Sequence, residues 1–210
     1  DNMVVTVTNT PHSTLDRMAE ERFYLHCGRE IGVASTKAFG AQMMFADLLV
    51  SQEGFSPAFS SDFSSTLEKN WSRLHEVAKA LEHAESCFFI GRAQRYPLAL
   101  EGALKLKEIS YIHAEAFAGG ELKHGSLALI STNTPVVVIG DSPEILANAA
   151  EVKTRGGFII QISMNPASVA DLHLPVPAGD YECFFSVVLM QQIALQTSLM
   201  RGLNPDKPRN

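Results

Sequence analysis

At 210 residues, with 46% apolar side chains and a net charge of −6, the chain fits a globular protein with one good-sized core, or one domain and part of another. The acidic balance supplies no basic stripe against phosphates and excludes a nucleic-acid binder. No apolar run approaches the ~18 residues of a membrane span, and the start of the chain has no signal-peptide pattern.

The predicted elements begin with a short buried strand at residues 3–8 (MVVTVT) and a turn at 9–11. A helical stretch over 13–20 and a brief strand over 22–26 follow. Apolar residues at Phe39, Met43, Met44, Ala46, Leu48 and Leu49 predict a helix over 36–52, stopped by Gly54. Residues 56–65, rich in Ser and Phe, read as a connection. The next helix, over 66–84, repeats Leu67, Trp71, Leu74, Val77, Ala78 and Leu81 at helical spacing, which makes Trp71 a core anchor.

From residue 86 onward strand and helix alternate. Buried strands are predicted at 87–90, 136–139, 158–162 and 173–176, and helices at 99–113, 142–155 and 182–201. Short all-apolar strands separated by helices indicate a parallel sheet covered on both faces, so the fold class is α/β. Cys27, Cys87 and Cys183 are far apart and follow no metal-ligand spacing. They read as reduced, mostly buried thiols of a cytoplasmic protein.

The candidate chemistry concentrates in residues 99–125. On a helix over 99–113, Glu101, Lys105 and Glu108 fall at i, i+4 and i+7 and share one face, while Leu100, Ala103, Leu104 and Ile112 lie mostly on another. A carboxylate such as Glu108, partly withdrawn from water, suits proton transfer. Lys105, one turn earlier, would hold it ionised or stabilise an enolate oxygen. The same row also fits a solvated salt-bridge face. His124, in the Gly-flanked segment 120–125 (GELKHG), suits ring opening or proton shuttling, an incidental loop histidine being the alternative. Residues 32–37 (GVASTK) offer amides and hydroxyls at a helix start, for an oxygen-rich ligand or simply for N-capping by Ser35 or Thr36. The turn 91–94 lies where open parallel sheets bind ligands. It lacks the Gly and Ser/Thr set of a phosphate loop and reads as a plain strand-to-helix turn.

Segments 30–39 (EIGVASTKAF), 96–116 (YPLALEGALKLKEISYIHAEA), 120–125 and 205–210 (PDKPRN) together resemble the isomerase half of the glutamine–fructose-6-phosphate aminotransferase family, over essentially the whole chain. The resemblance implies two sugar-isomerase (SIS) domains, each a flavodoxin-like parallel sheet flanked by helices. Residues 1–50 would be the end of the first SIS domain and its exit helix, a remnant lacking most of its sheet. Residues 56–210 would be the second SIS domain with its lead-in helix. The activity implied is conversion of fructose 6-phosphate and ammonia to glucosamine 6-phosphate, with no metal or organic cofactor. By motif, Glu108 would be the base that moves a proton between C1 and C2 of the ketose imine. Lys105 would steady the enolamine oxygen or Glu108 itself, and His124 would open the sugar ring from the neighbouring subunit of a homodimer. The backbone near Val33, with Ser35 close by, would line the sugar.

The family's Ser/Thr-rich phosphate loop, C-terminal Schiff-base lysine and glutaminase domain have no counterpart in these residues. The chain therefore reads as a fragment, expected to be inactive alone. Two other readings share the fold. One is an SIS-type sugar-phosphate deglycase or aldose–ketose isomerase; the other is a non-catalytic SIS module that binds amino-sugar phosphates.

Overall fold

The first apolar segments of the chain pair with each other across a short crossover. In the computed structural model, which describes residues 2–52, 54 and 56–209, β1 (Val5–Thr8) and β2 (Glu21–Tyr24) are parallel, with Val5 opposite Glu21. The helix α1 (Thr14–Met18) joins them, and Ser13 caps it by accepting the Asp16 N–H. A longer helix, α2 (Lys37–Ser51), follows. Its stop is Gln52 in the left-handed conformation, φ 57°, rather than the expected Gly54. These elements form one of the two units into which the chain divides, Asp1–Ser56; the other is Pro57–Asn210.

The second unit opens on α3 (Phe59–Leu81), which begins well before the expected residue 66. Residues 59–65 are helical rather than a connection because Phe59 and Phe63, one turn apart, meet aromatic partners. Phe59 lies 5.0 Å from Tyr181 and 5.2 Å from Phe184 between ring centroids, and Phe63 lies 6.4 Å from Phe184. The buried stripe of α3 runs through Thr66, Asn70, Leu74, Val77, Ala78 and Leu81. Asn70 Nδ2 donates to the Thr66 and Pro175 carbonyls. Trp71 stands about 100° further round the helix and is 61% exposed, so it is not the core anchor that spacing suggested.

Five strands then form one parallel sheet: β3 (Ser86–Gly91), β4 (His113–Ala118), β5 (Pro135–Ile139), β6 (Phe158–Ser163) and β7 (Leu172–Pro175). Their order is β4-β3-β5-β6-β7, the flavodoxin-like pattern in which the chain reverses direction between β3 and β5. The helices are α4 (Tyr96–Ser110), α5 (Pro143–Thr154) and α6 (Glu182–Met200). Alternate strand residues serve the two faces. Phe88, Ile90, Val136, Val138 and Ile159 pack with Ile145, Ala149 and Val152 of α5 and with Leu122, Leu127 and Ile130. The intervening Phe89, Val137, Ile139, Ile160 and Ile162 are equally buried, on the side of α4 and α6.

Three sequence expectations need correction here. The helix expected over 99–113 ends at Ser110, because Tyr111 adopts φ 60°, and residue 113 begins β4, a strand that periodicity did not reveal. Apolar length also reaches further than expected. α6, with 19 residues, is long and apolar enough by length and composition to cross a membrane. Just over half of it is buried inside the unit, where α6 packs against α3 and α4 as a core helix does. Finally, of the three free cysteines only Cys87 is fully buried; Cys27 and Cys183 are half-buried.

Candidate active site

α4 turns its charged row toward the protein. Its buried face comprises Leu98, Ala99, Glu101, Gly102, Ala103, Lys105, Leu106, Ile109 and Ser110, whereas Leu100 and Leu104 are 47% and 41% exposed. Of the apolar set read from hydrophobic spacing, Leu100 and Leu104 thus face outward, while Ala103 and, beyond the helix end, Ile112 are buried as expected. The cause is steric. A Cβ on Gly102 would stand 2.4 Å from Met190 Sδ and 2.9 Å from a Phe89 ring carbon, so the helix approaches its neighbours through its small residues. The side chains that flank that contact line, including Glu101 and Lys105, are carried inward with it.

Lys105 has a side chain only 4% exposed and donates to Glu108 Oε2 at 2.7 Å. Its Nζ lies 3.6 Å from Glu101 Oε1, an oxygen that is buried without a hydrogen-bond partner. Burial pushes the Glu101 carboxyl above the usual carboxylate range, against the pull of Lys105. The row is therefore not a solvated salt-bridge face. It presents one reachable carboxylate, Glu108, 26% exposed, fixed in orientation by a buried ammonium. Such a group is placed to accept and return a proton at a fixed point.

His124 stands elsewhere. α4 runs from the carboxyl end of β3 back to the amino end of β4, so Glu108 lies about 18 Å along the helix from its start. His124 follows the carboxyl end of β4, after the 3-10 turn Gly119–Lys123, with its N–H on the Glu121 carbonyl at 3.0 Å and its ring exposed. Leu122, buried, anchors that turn. Gly119 lets it lie against Asn148 and Ile145 of α5. Lys105 and Glu108 are brought together; His124 is held at the opposite end of the sheet in the same chain.

Val33 and Ser35 belong to the first unit. Val33 is 55% exposed. The Ser35 hydroxyl donates to Glu30 Oε2 at 2.9 Å, and Glu30 Oε1 accepts the Thr36 N–H at 2.8 Å. Glu30, not Ser35 or Thr36, thus organises the start of α2. Burial would raise its carboxyl, but the donors from Thr36, Ser35, Ala38 and Lys37 outweigh it and hold the group below the usual range. Beside it a cavity of about 680 Å³ opens beyond the carboxyl ends of β1 and β2, lined by Asn9, Thr10, Tyr24, His26, Arg29 and Glu30 among others. Sequence reading passed over Glu30, although a carboxylate shortly before a Ser-Thr helix start is itself a capping signal.

In the second unit the direction reversal between β3 and β5 holds a cavity of about 230 Å³, bordered by Arg92, Arg95, Gly140, Ser142 and Glu144. Residues 93–95 form a 3-10 turn. The Glu144 carboxyl, held low by its own backbone N–H and by Ser142, stands at the start of α5. Arg95 is engaged by Glu182 through 2.7 and 2.9 Å bonds. Among the described residues no group of three or more His, Cys, Asp or Glu side chains gathers as a metal would need.

The model of the SIS domain matches residues 1–52 and 80–201. The chain belongs to the SIS domain family. This SIS chain is 43% identical, over 98% of its length, to the glutamine–fructose-6-phosphate aminotransferase (isomerizing) of Halalkalibacterium halodurans. It is 40% identical, over 99% of its length, to the protein of the same name from Pyrococcus horikoshii. It spans 38% of the length of each of these relatives. Among solved structures, the C-terminal domain of glucosamine-fructose-6-phosphate aminotransferase from Francisella tularensis superposes with a TM-score of 0.77 at 32% identity, covering 97% of this SIS chain and 64% of that one.

Proposed function

We propose that this SIS chain is the isomerase part of a glutamine–fructose-6-phosphate aminotransferase, converting fructose 6-phosphate and ammonia to glucosamine 6-phosphate. The observation that carries the reading is the buried Lys105 bonded at 2.7 Å to the partly exposed Glu108, in a chain similar along its whole length to aminotransferases of that name. In this reading Glu108 takes a proton from one carbon of the open-chain imine and returns it to the next. A 1,2-shift needs one positioned carboxylate and no net proton. Lys105 holds Glu108 in place and faces the developing enolamine oxygen.

Ring opening needs a separate acid and base, the role we assign to His124. Because His124 and Glu108 lie at opposite ends of the sheet, the reading pairs Glu108 of one subunit with His124 of a second copy, in a homodimer. Val33 and Ser35, in the loop set by Glu30, line the sugar. A glutaminase domain supplies ammonia in the parent enzyme, which works in the cytoplasm.

The test is Glu108→Gln in the complete enzyme carrying this segment. Glucosamine 6-phosphate formation is expected to fall about 10²–10⁴-fold, the range for losing a general base, while glutamine hydrolysis persists. Unchanged synthesis would overturn the assignment.

A further inference from the structure

Glu101 has no place in the proton transfer just described, yet its position is costly. Its side chain is 10% exposed and one oxygen is buried with no hydrogen-bond partner. A buried carboxylate without full hydrogen bonding destabilises a fold, and its burial-raised carboxyl is the electrostatic trace of that cost. The close approach of α4 to the rest of the unit is made at Gly102, against Met190 and Phe89.

The geometry suggests a use for this unsatisfied oxygen. Lys105 Nζ sits between two carboxylates, 2.7 Å from Glu108 Oε2 and 3.6 Å from Glu101 Oε1. When Glu108 accepts a proton it becomes neutral, and the buried ammonium loses the closer of its two counter-charges. Glu101 is then the remaining anion within reach, needing a closure of about 0.8 Å to an ordinary charge-assisted hydrogen bond. We propose that Glu101 is a positioning residue for the isomerisation: it is the second seat of the Lys105 ammonium, which shifts toward Glu101 as Glu108 is protonated and back as the proton returns to the substrate. No proton leaves the site in this cycle. The proton moves from substrate carbon to the Glu108 carboxylate and then to the neighbouring carbon, while only the hydrogen bond of Lys105 changes partner.

This inference rests on Glu108 acting as the base. It predicts a signature that a structural residue would not give. In the complete enzyme, Glu101→Gln keeps the shape but removes the charge. Its kcat for glucosamine 6-phosphate formation should fall about 10-fold or more, with KM for fructose 6-phosphate within about twofold. Thermal stability at pH 7.5 should be unchanged or higher, because a carboxyl whose folded-state value is raised favours the fold at low pH and disfavours it as pH rises. Glu101→Asp, which keeps the charge, should recover part of the lost kcat. An unchanged kcat in Glu101→Gln would overturn the inference, as would loss of kcat that simply tracks a fall in melting temperature. Glu108→Gln, run in parallel, separates the two readings. If it abolishes synthesis while Glu101→Gln is silent, only the role of Glu101 fails; if both are silent, the assignment of the base fails with it.

Discussion

Lys105 tolerates burial because its own helix brings two carboxylates to it, an arrangement that the i, i+4, i+7 spacing made legible. What spacing alone could not supply was the direction of that face. Leu100 and Leu104 are the obvious core candidates on hydrophobicity, and they are the exposed ones. Side chains elsewhere show the same limit. His173 on β7 reaches Ser163 on β6, its Nε2 3.0 Å from the Ser163 carbonyl and 3.2 Å from its Oγ, a pairing set by strand register. Burial lowers the His173 imidazole below its ordinary 6.5. A depressed histidine contributes stability that is present above its unfolded value and lost as pH falls through the folded one. Denaturation midpoints followed downward from pH 7.5 should therefore decline below about pH 6.5, and less steeply in His173→Asn. An identical slope in the variant would show that His173 is not responsible.

At the scale of elements, close approach decides which residues matter. Gly102 seats α4 against Phe89 and Met190, and that seat carries Glu101 and Lys105 inward. Met190 can yield through its flexible side chain, whereas the Phe89 ring is locked in the core at 1% exposure. Gly102→Ala should cost about 1–3 kcal/mol, the usual range for overpacking, read from urea denaturation; a cost near zero would mean that α4 slides freely on the sheet. Central strands such as PVVVI (β5) and FIIQIS (β6) were legible because only burial on both faces explains runs of that kind. β4, with the sequence HAEAFA, was not. It is an edge strand of small and charged residues with weak strand preference, and the helical pattern before it continued plausibly into it. The early start of α3 was hidden for a related reason: Phe59 and Phe63 find their partners in Tyr181, Phe184 and Phe185, more than a hundred residues away.

For the whole molecule, alternating strand and helix determined the architecture, and the strand order β4-β3-β5-β6-β7 follows from right-handed crossovers with one reversal. That order also governs the candidate site. In sequence, Glu108 and His124 look like neighbours in one cluster; the sheet places them at opposite ends, since a crossover helix and the strand after it run in opposite directions. That separation is consistent with the proposal that a complete site takes Glu108 from one subunit and His124 from another. Mixing tests it most directly. Glu108→Gln and His124→Asn forms of the complete enzyme, each inactive in synthesis, are unfolded together and refolded at equal concentration, and synthesis is assayed. Recovery of about a quarter of the unmutated activity is expected, because half of the dimers are then mixed and each mixed dimer holds one intact site of two. No recovery from a correctly refolded dimeric mixture would contradict the account.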